Sequence, residues 1–402
     1  AFLLIISIFI SFSSNYLEER DDKINLILYT ACIFLFVSST INFFRIGTTN
    51  NSYLTFVGLL NWIPHIILFV GCQKYIITSI DRKRCVIALI LGSIPILFSC
   101  FSQSFLNWHG PFRTLFGLIV WYQKPLDGFT GITGLFSNPN YLGAWLNIIW
   151  PFCIAFLFFE NRNIAKVILK LIFCVLVSII IILTASRGAW ICLVITLPLM
   201  FGFDIKKRLL SFLLLLSIIP LNLAFPIFGV GFQDFLRQII PKGIWINLTS
   251  SGYESLDISR TGIWQYALRF IADKPILGHG SNAFPTLFEN ATNLWKGHTH
   301  SLPLELMVNY GVPTALLLLI PVTYLIYKSY LKVFLKESKI NSENIIDRAW
   351  VVALSIQVLT HLVDIQYFDG RISIIGWVLL AGSRNIILNS SENNKRIKIF
   401  KN

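Results

Sequence analysis

Charge is scarce in this chain. Asp, Glu, Lys and Arg make up 13% of its 402 residues, against about 25% in an ordinary soluble domain. With 55% hydrophobic residues and a mean hydropathy of +0.69, the composition excludes a water-soluble globular fold. Histidine is scarcer still, at six in all. The seven cysteines (Cys32, Cys72, Cys85, Cys100, Cys153, Cys174 and Cys192) include no C-x-x-C pair and avoid the long polar loops. That spacing excludes a disulfide framework or a zinc ribbon, and the thiols read as small apolar fillers. A dinucleotide fingerprint, a Walker A loop, a zincin helix and a G-x-S-x-G elbow are all missing. So is the basic n-region of a cleavable signal peptide, while a start on Ala1 rather than methionine suggests a trimmed N-terminus.

What the chain has in quantity is long apolar runs. They cover Ala1–Ser13, Ile24–Phe44, Leu54–Cys72, Cys85–Phe101, Tyr141–Phe159, Ala165–Thr184, Ala189–Phe203, Leu209–Gly229, Leu304–Tyr327, Trp350–Val363 and Arg371–Leu388. Most reach the roughly 17–25 residues that cross about 30 Å of hydrocarbon. The expected fold is all-α: a polytopic membrane bundle of about 11–12 helices, forming a single membrane domain over residues 1–402.

The net charge of +13 invites a nucleic-acid reading, but its distribution opposes one. Of the 33 Lys and Arg, 22 fall on one set of alternate loops and the C-terminal tail. This is the positive-inside asymmetry, which puts those loops and the C-terminus in the cytoplasm. No nucleic-acid partner is expected.

Two long segments then face outward: residues 102–140, rich in aromatics and turn formers, and the larger 230–300. Inside the second, Ser259 is a plausible N-cap for an amphipathic helix beginning at Arg260. At about 100° per residue, Trp264, Ala267 and Ile271 point within about 40° of Arg260, and Arg269 points away. A cation in the first helical turn opposes the helix dipole, which makes sense where an anion joins it beside the free N–H groups. A rim arginine at a bilayer interface is the plainer alternative.

The same segment ends in Gly297-His298-Thr299-His300-Ser301, where apolar sequence resumes. Two imidazoles at the mouth of a membrane bundle are where chemistry is sought first, although a histidine there can simply cap or snorkel. An H-x-H pair would need a third ligand to hold a metal, so no metal or cofactor is expected. Ser186-Arg187-Gly188 joins two helices on the same outer side. Asp364, Asp369 and Arg371 share a short outer loop, as substrate contacts or as a charge-compensated turn, and His361 lies near enough in sequence to pair with Asp364. Gly278-His279-Gly280-Ser281-Asn282 is a glycine-rich turn with no diagnostic pattern.

Taken in order, these motifs resemble the O-antigen ligase/polymerase superfamily of bacterial membrane proteins, and within it the cyanobacterial type. The resemblance rests on Phe136-Ser-Asn138-Pro139-Asn140-Tyr141-Leu142, Thr184-Ala-Ser186-Arg187-Gly188-Ala189-Trp190, Arg260…Trp264…Pro275-Ile-Leu-Gly278-His-Gly280, and His298-Thr-His300-Ser301-Leu-Pro-Leu304…Tyr310-Gly311-Val-Pro313. It implies a metal-independent glycosyltransferase of the bacterial inner membrane. Such an enzyme moves a glycan from an undecaprenyl-diphosphate carrier to a lipid or glycan acceptor on the periplasmic face. The family's H-[NS]-x-x-L motif matches His300-Ser301-x-x-Leu304, so the resemblance makes His300 catalytic, with Arg187 and Arg260 as partners. The expected substrate-binding set is Arg187, Arg260, His298, Asp369 and Arg371, and the resemblance carries over no acceptor-recognition residues. Arginine suits a diphosphate leaving group, and an imidazole suits the acceptor's proton, as base or as hydrogen-bond donor.

The rival expectation is a transporter of bicarbonate or another small anion. It fits less well, because the ionisable residues gather at the outer rim while most segment midplanes are apolar. An accessory membrane protein without activity is a third reading.

Overall fold

The computed structural model describes residues 22–46, 54–126, 131–158, 163–201, 229–239, 258–336 and 344–399. The chain clusters into two compact units, one from 1–82, 257–336 and 358–402, the other from 83–256 and 337–357. Among the described residues seven helices are long and apolar enough to cross a membrane, which makes this a multi-pass all-α membrane protein. Two expected segments, Ala1–Ser13 and Leu209–Gly229, lie outside the described residues.

In chain order the helices are α1 (Lys23–Ile46), α2 (Leu54–Val57), α3 (Ile63–Cys72), α4 (Ser79–Phe105), α5 (Pro139–Leu157), α6 (Ile164–Leu183), α7 (Arg187–Phe201), α8 (Val230–Ile239), α9 (Arg260–Asp273), α10 (Phe284–Thr292), α11 (Leu302–Tyr310), α12 (Val312–Tyr330), α13 (Ile345–His361) and α14 (Gly370–Ile399). A 3₁₀ turn, Gly58–Asn61, links α2 to α3 into one span over Thr55–Cys72.

In the first unit α12 packs on α1 and α14, α14 on α3, and α11 on both α12 and α9. Polar side chains join the helices inside the bundle. Gln73 Nε2 donates to Asn25 Oδ1 at 3.1 Å, and the Asn385 side-chain amide donates to the backbone carbonyls of Gln73 and Ile76. Hydrogen bonds of this kind associate helices where lipid leaves no hydrophobic drive between them. The outer faces are apolar and exposed, as at Leu26, Ile33, Phe36 and Phe44 of α1, the pattern of a surface that meets acyl chains.

The expected segment Leu304–Tyr327 is in fact two helices. Gly311 stands at φ +85° between α11 and α12, and a Cβ there would fall 2.1 Å from the Ile276 carbonyl oxygen. Another strand of backbone occupies the space, so only glycine fits and the helix breaks. The spanning part is Val312–Leu335, and α11 stands outside it.

The second unit is built round α5, whose buried residues Leu142, Leu146, Ile149 and Cys153 pack with Cys100, Phe136, Cys174, Val177, Ile181 and Ala189. Asn138 caps α5 by accepting the Asn140 N–H at 2.8 Å, with Pro139 at the first helical position. The outer segment before it holds a small antiparallel hairpin, β1 (Phe112–Thr114) with β2 (Ile119–Trp121), the one sheet among the described residues.

Candidate active site

Helix α9 is built as its sequence predicts. Ser259 caps it, accepting the Gly262 N–H at 3.3 Å. Ile263, Ala267 and Ile271 are buried against Phe284 and Phe288 of α10 and Val308 of α11. Arg269 lies exposed on the other side with its guanidinium over the Tyr266 ring. Arg260, the first residue, is exposed and forms no ion pair among the described residues.

The His298-Thr299-His300 turn is held from three directions. The Trp264 indole of α9 donates to the Thr299 carbonyl at 3.0 Å. The Thr299 N–H donates to Glu305 Oε2 of α11 at 2.9 Å, and the Thr299 hydroxyl donates to the Ser301 carbonyl at 2.8 Å. Glu305 is itself buried and accepts a second bond from the Asn309 amide at 3.1 Å. These contacts keep His300 at φ +55°, a left-handed conformation that histidine enters at some cost.

Held so, His300 turns Nδ1 to Asp364 Oδ1 at 3.0 Å. The carboxylate can only accept, so Nδ1 carries a proton, and in the uncharged tautomer of the ring the lone pair sits on Nε2. The His300 N–H donates to His298 Nδ1 at 3.2 Å, and the two rings meet edge to face with centroids 4.3 Å apart. Burial first, then the charges of His300 and Arg260, outweigh the pull of Asp364 and lower His298 to about 4. It is therefore neutral near pH 7. Burial alone would raise the Asp364 carboxyl, but the His300 hydrogen bond and the charges of His300, His298 and Arg260 hold it below the ordinary aspartate range. Arg260 thus acts electrostatically on both Asp364 and His298.

The expected pairing of Asp364 with His361 does not form; His361 is buried and makes no hydrogen bond to it. Asp364 does supply the third metal-ligating group that the H-x-H pair lacks in sequence. Ligand atoms of His298, His300 and Asp364 lie within 4.8 Å of one another. Yet both Nδ1 atoms are committed to hydrogen bonds and Arg260 adds positive charge, so the arrangement suits proton transfer better than a cation.

Asp369 and Arg371 bind each other. Arg371 donates through Nη2 at 2.6 Å, Nε at 2.9 Å and its backbone N–H at 3.0 Å, which makes the pair a charge-compensated turn at the start of α14. Arg187 belongs to the second unit. Thr184 Oγ1 accepts the Ser186 N–H, Ser186 Oγ accepts the Ala189 N–H, and Ala185 stands at φ +53°. That turn closes α6 and presents Arg187, exposed, as the first residue of α7.

The glycines of the glycine-rich turn serve backbone packing. His279 and Gly280 donate their N–H groups to the carbonyls of Val308 and Asn309, and a Cβ on Gly278 would sit 2.6 Å from the Asn309 backbone. In sequence Asp364 reads as a substrate contact, part of a charge-compensated turn or a partner of His361, and its bond to His300 arises only through long-range folding. Glu305 is absorbed into an apolar run, although a lone carboxylate there is a visible signal.

No curated protein matches the chain. Residues 172–319 do match a family model, that of O-antigen ligase, over a stretch running from α6 into α12 and including Arg187, Arg260, His298, His300 and Glu305. Over residues 172–319 the chain is similar to O-antigen ligase, and it is a multi-pass membrane protein.

Proposed function

We propose that the protein transfers a glycan from an undecaprenyl-diphosphate carrier to an acceptor hydroxyl on the periplasmic face of the bacterial inner membrane, as a ligase or polymerase and without a metal. The carrying observation is the His300 Nδ1–Asp364 bond of 3.0 Å, which leaves Nε2 as the basic atom. In the step, His300 Nε2 takes the acceptor hydroxyl's proton as its oxygen attacks the anomeric carbon. The bond from that carbon to the diphosphate breaks, and the carrier diphosphate leaves with its charge met by Arg260. A positioned base contributes about 10²–10⁴-fold and a cation on the developing phosphate charge a few kcal/mol. Asp364 is a positioning residue that fixes the tautomer, and neutral His298 accepts the His300 N–H. The resemblance assigns Arg187 a second cationic role, which its exposure at the start of α7 permits. Asp369 and Arg371, already paired, are the weaker substrate contacts of the expected set.

The test replaces His300 by Asn, which tolerates a left-handed φ, and separately Arg260 and Arg187 by Ala, in the native host. Surface glycans are then compared by gel. Loss of glycan with accumulation of carrier-linked polymer identifies a ligase, and loss of both identifies a polymerase. Unchanged profiles for His300→Asn and Arg260→Ala would refute the enzyme.

A further inference from the structure

Next to the histidine turn, the first unit holds a half-open cavity of about 270 Å³. The 3₁₀ turn before α3 supplies Asn61, the glycine-rich turn supplies Ser281 and Asn282, α11 supplies Glu305 and Asn309, and Phe368 lies at the side. Gly297, the neighbour of His298, also lines it, and Glu305 is the group bonded to Thr299. The cavity therefore adjoins the loop that carries His298 and His300.

The lining is mixed, with Val57, Trp62, Leu306 and Phe368 beside the polar groups, and the polar part is incompletely satisfied. Asn309 is 5% exposed and its Oδ1 has no hydrogen-bond partner. A buried polar atom is seldom left so without a ligand or water to pair it. Half-buried Asn61 and exposed Asn282 add two more side-chain amides to the lining. The wall is also closely built. A Cβ on Gly58 would fall 1.6 Å from Ser281 Oγ and 2.7 Å from the Tyr310 hydroxyl, so a side chain at this position would push Ser281 aside.

No Lys, Arg or His lines the cavity, and one carboxyl does. Burial pushes the Glu305 carboxyl up despite its bonds from Thr299 and Asn309. With no cation in its wall the cavity offers nothing to pair with a diphosphate, which exposed Arg260 serves instead. Amides, a hydroxyl and a carboxyl beside an aromatic ring match the alternating donors and acceptors of sugar hydroxyls. The volume lies just below the usual range of about 300–1,000 Å³ for ligand pockets, room for one sugar ring and not a chain. We infer that this cavity binds a single neutral sugar residue, the one beside the bond that reacts at His300, and so selects the glycan. Its role rests on the proposed transfer reaction; its ligand rests on the chemistry of the wall.

The test uses the full chain in lipid nanodiscs free of sugar-based detergent. Saturation-transfer NMR is run against the methyl glycosides of glucose, galactose, mannose, N-acetylglucosamine and N-acetylgalactosamine. Wild type should bind at least one. Asn61→Leu and Asn309→Leu should weaken that binding about tenfold, as should Asn282→Ala at an exposed site where folding is not at risk, while Arg269→Ala on the far side of α9 retains it. The idea is overturned if no glycoside binds wild type, if the three amide variants bind as well as wild type, or if inorganic pyrophosphate displaces the sugar. Failure here with glycan lost in His300→Asn cells retires the cavity alone. Sugar binding with an unchanged glycan profile retires the transfer reaction and leaves a sugar site.

Discussion

Glu305 lies six residues after the Thr299 N–H that it accepts at 2.9 Å, so the first turns of α11 hold the loop that precedes them. Replacing Glu305 by Ala strands that N–H and the Asn309 amide and opens a void, at a cost of about 2–4 kcal/mol. Glu305→Gln should cost under about 1 kcal/mol, because the Asn309 Oδ1 that now lacks a partner can accept the new amide N–H. Thermal unfolding in nanodiscs measures both, and equal losses would show that the bond to Thr299 does not matter.

Asp364→Asn keeps shape and removes the group that fixes the His300 tautomer. Turnover should fall about 10²-fold or more with little change in the KM for the carrier-linked donor. A fall confined to KM would place Asp364 on the substrate and not behind the imidazole.

Acid should destabilise the fold through His298. Its pKa drops from 6.5 unfolded to about 4 folded, so between those values the unfolded chain takes up a proton that the folded chain refuses. Stability is level above pH 6.5 and falls as pH drops toward 4, by on the order of 2–3 kcal/mol from this residue. Asp364, held low, adds a further loss as pH falls below the ordinary aspartate range. Unfolding temperatures from pH 7 to 4.5 should slope less steeply in His298→Gln than in wild type, and identical slopes would assign the acid sensitivity elsewhere.

Chelators should leave transfer unchanged, whereas micromolar zinc should inhibit it. Zinc can capture His298, His300 and Asp364, whose ligand atoms lie within 4.8 Å, but only by breaking the bonds that ready His300. Loss of activity in EDTA with recovery on adding metal would reverse this assignment.

The helix carrying Arg260 was readable in sequence because its information is local: a capping serine, a 3.6-residue stripe and a charge on each side. The Asn138-Pro139 start of α5 was legible for the same reason. The split at Gly311 was not, since hydropathy runs on across it, and what breaks the helix is the distant Ile276 backbone. Nor was the hairpin of β1 and β2, whose three-residue strands give no period to count. Of the site, both histidines and Arg260 were apparent from residue type and motif. The pairing of His300 with Asp364 spans 64 positions, and no local pattern encodes it.

The backbone crossing of Gly278 and Gly311 against 276–310 bears on how variants of this protein should be sorted. An alanine at either glycine drives a methyl group into main chain at 2.6 or 2.1 Å, and both loops that meet there carry residues of the site. In a mutational scan scored by surface glycan, these glycines will rank beside His300 although neither offers a group to the reaction. Cell-surface abundance separates them: glycine variants should vanish from the membrane, while His300→Asn should remain there, folded and silent.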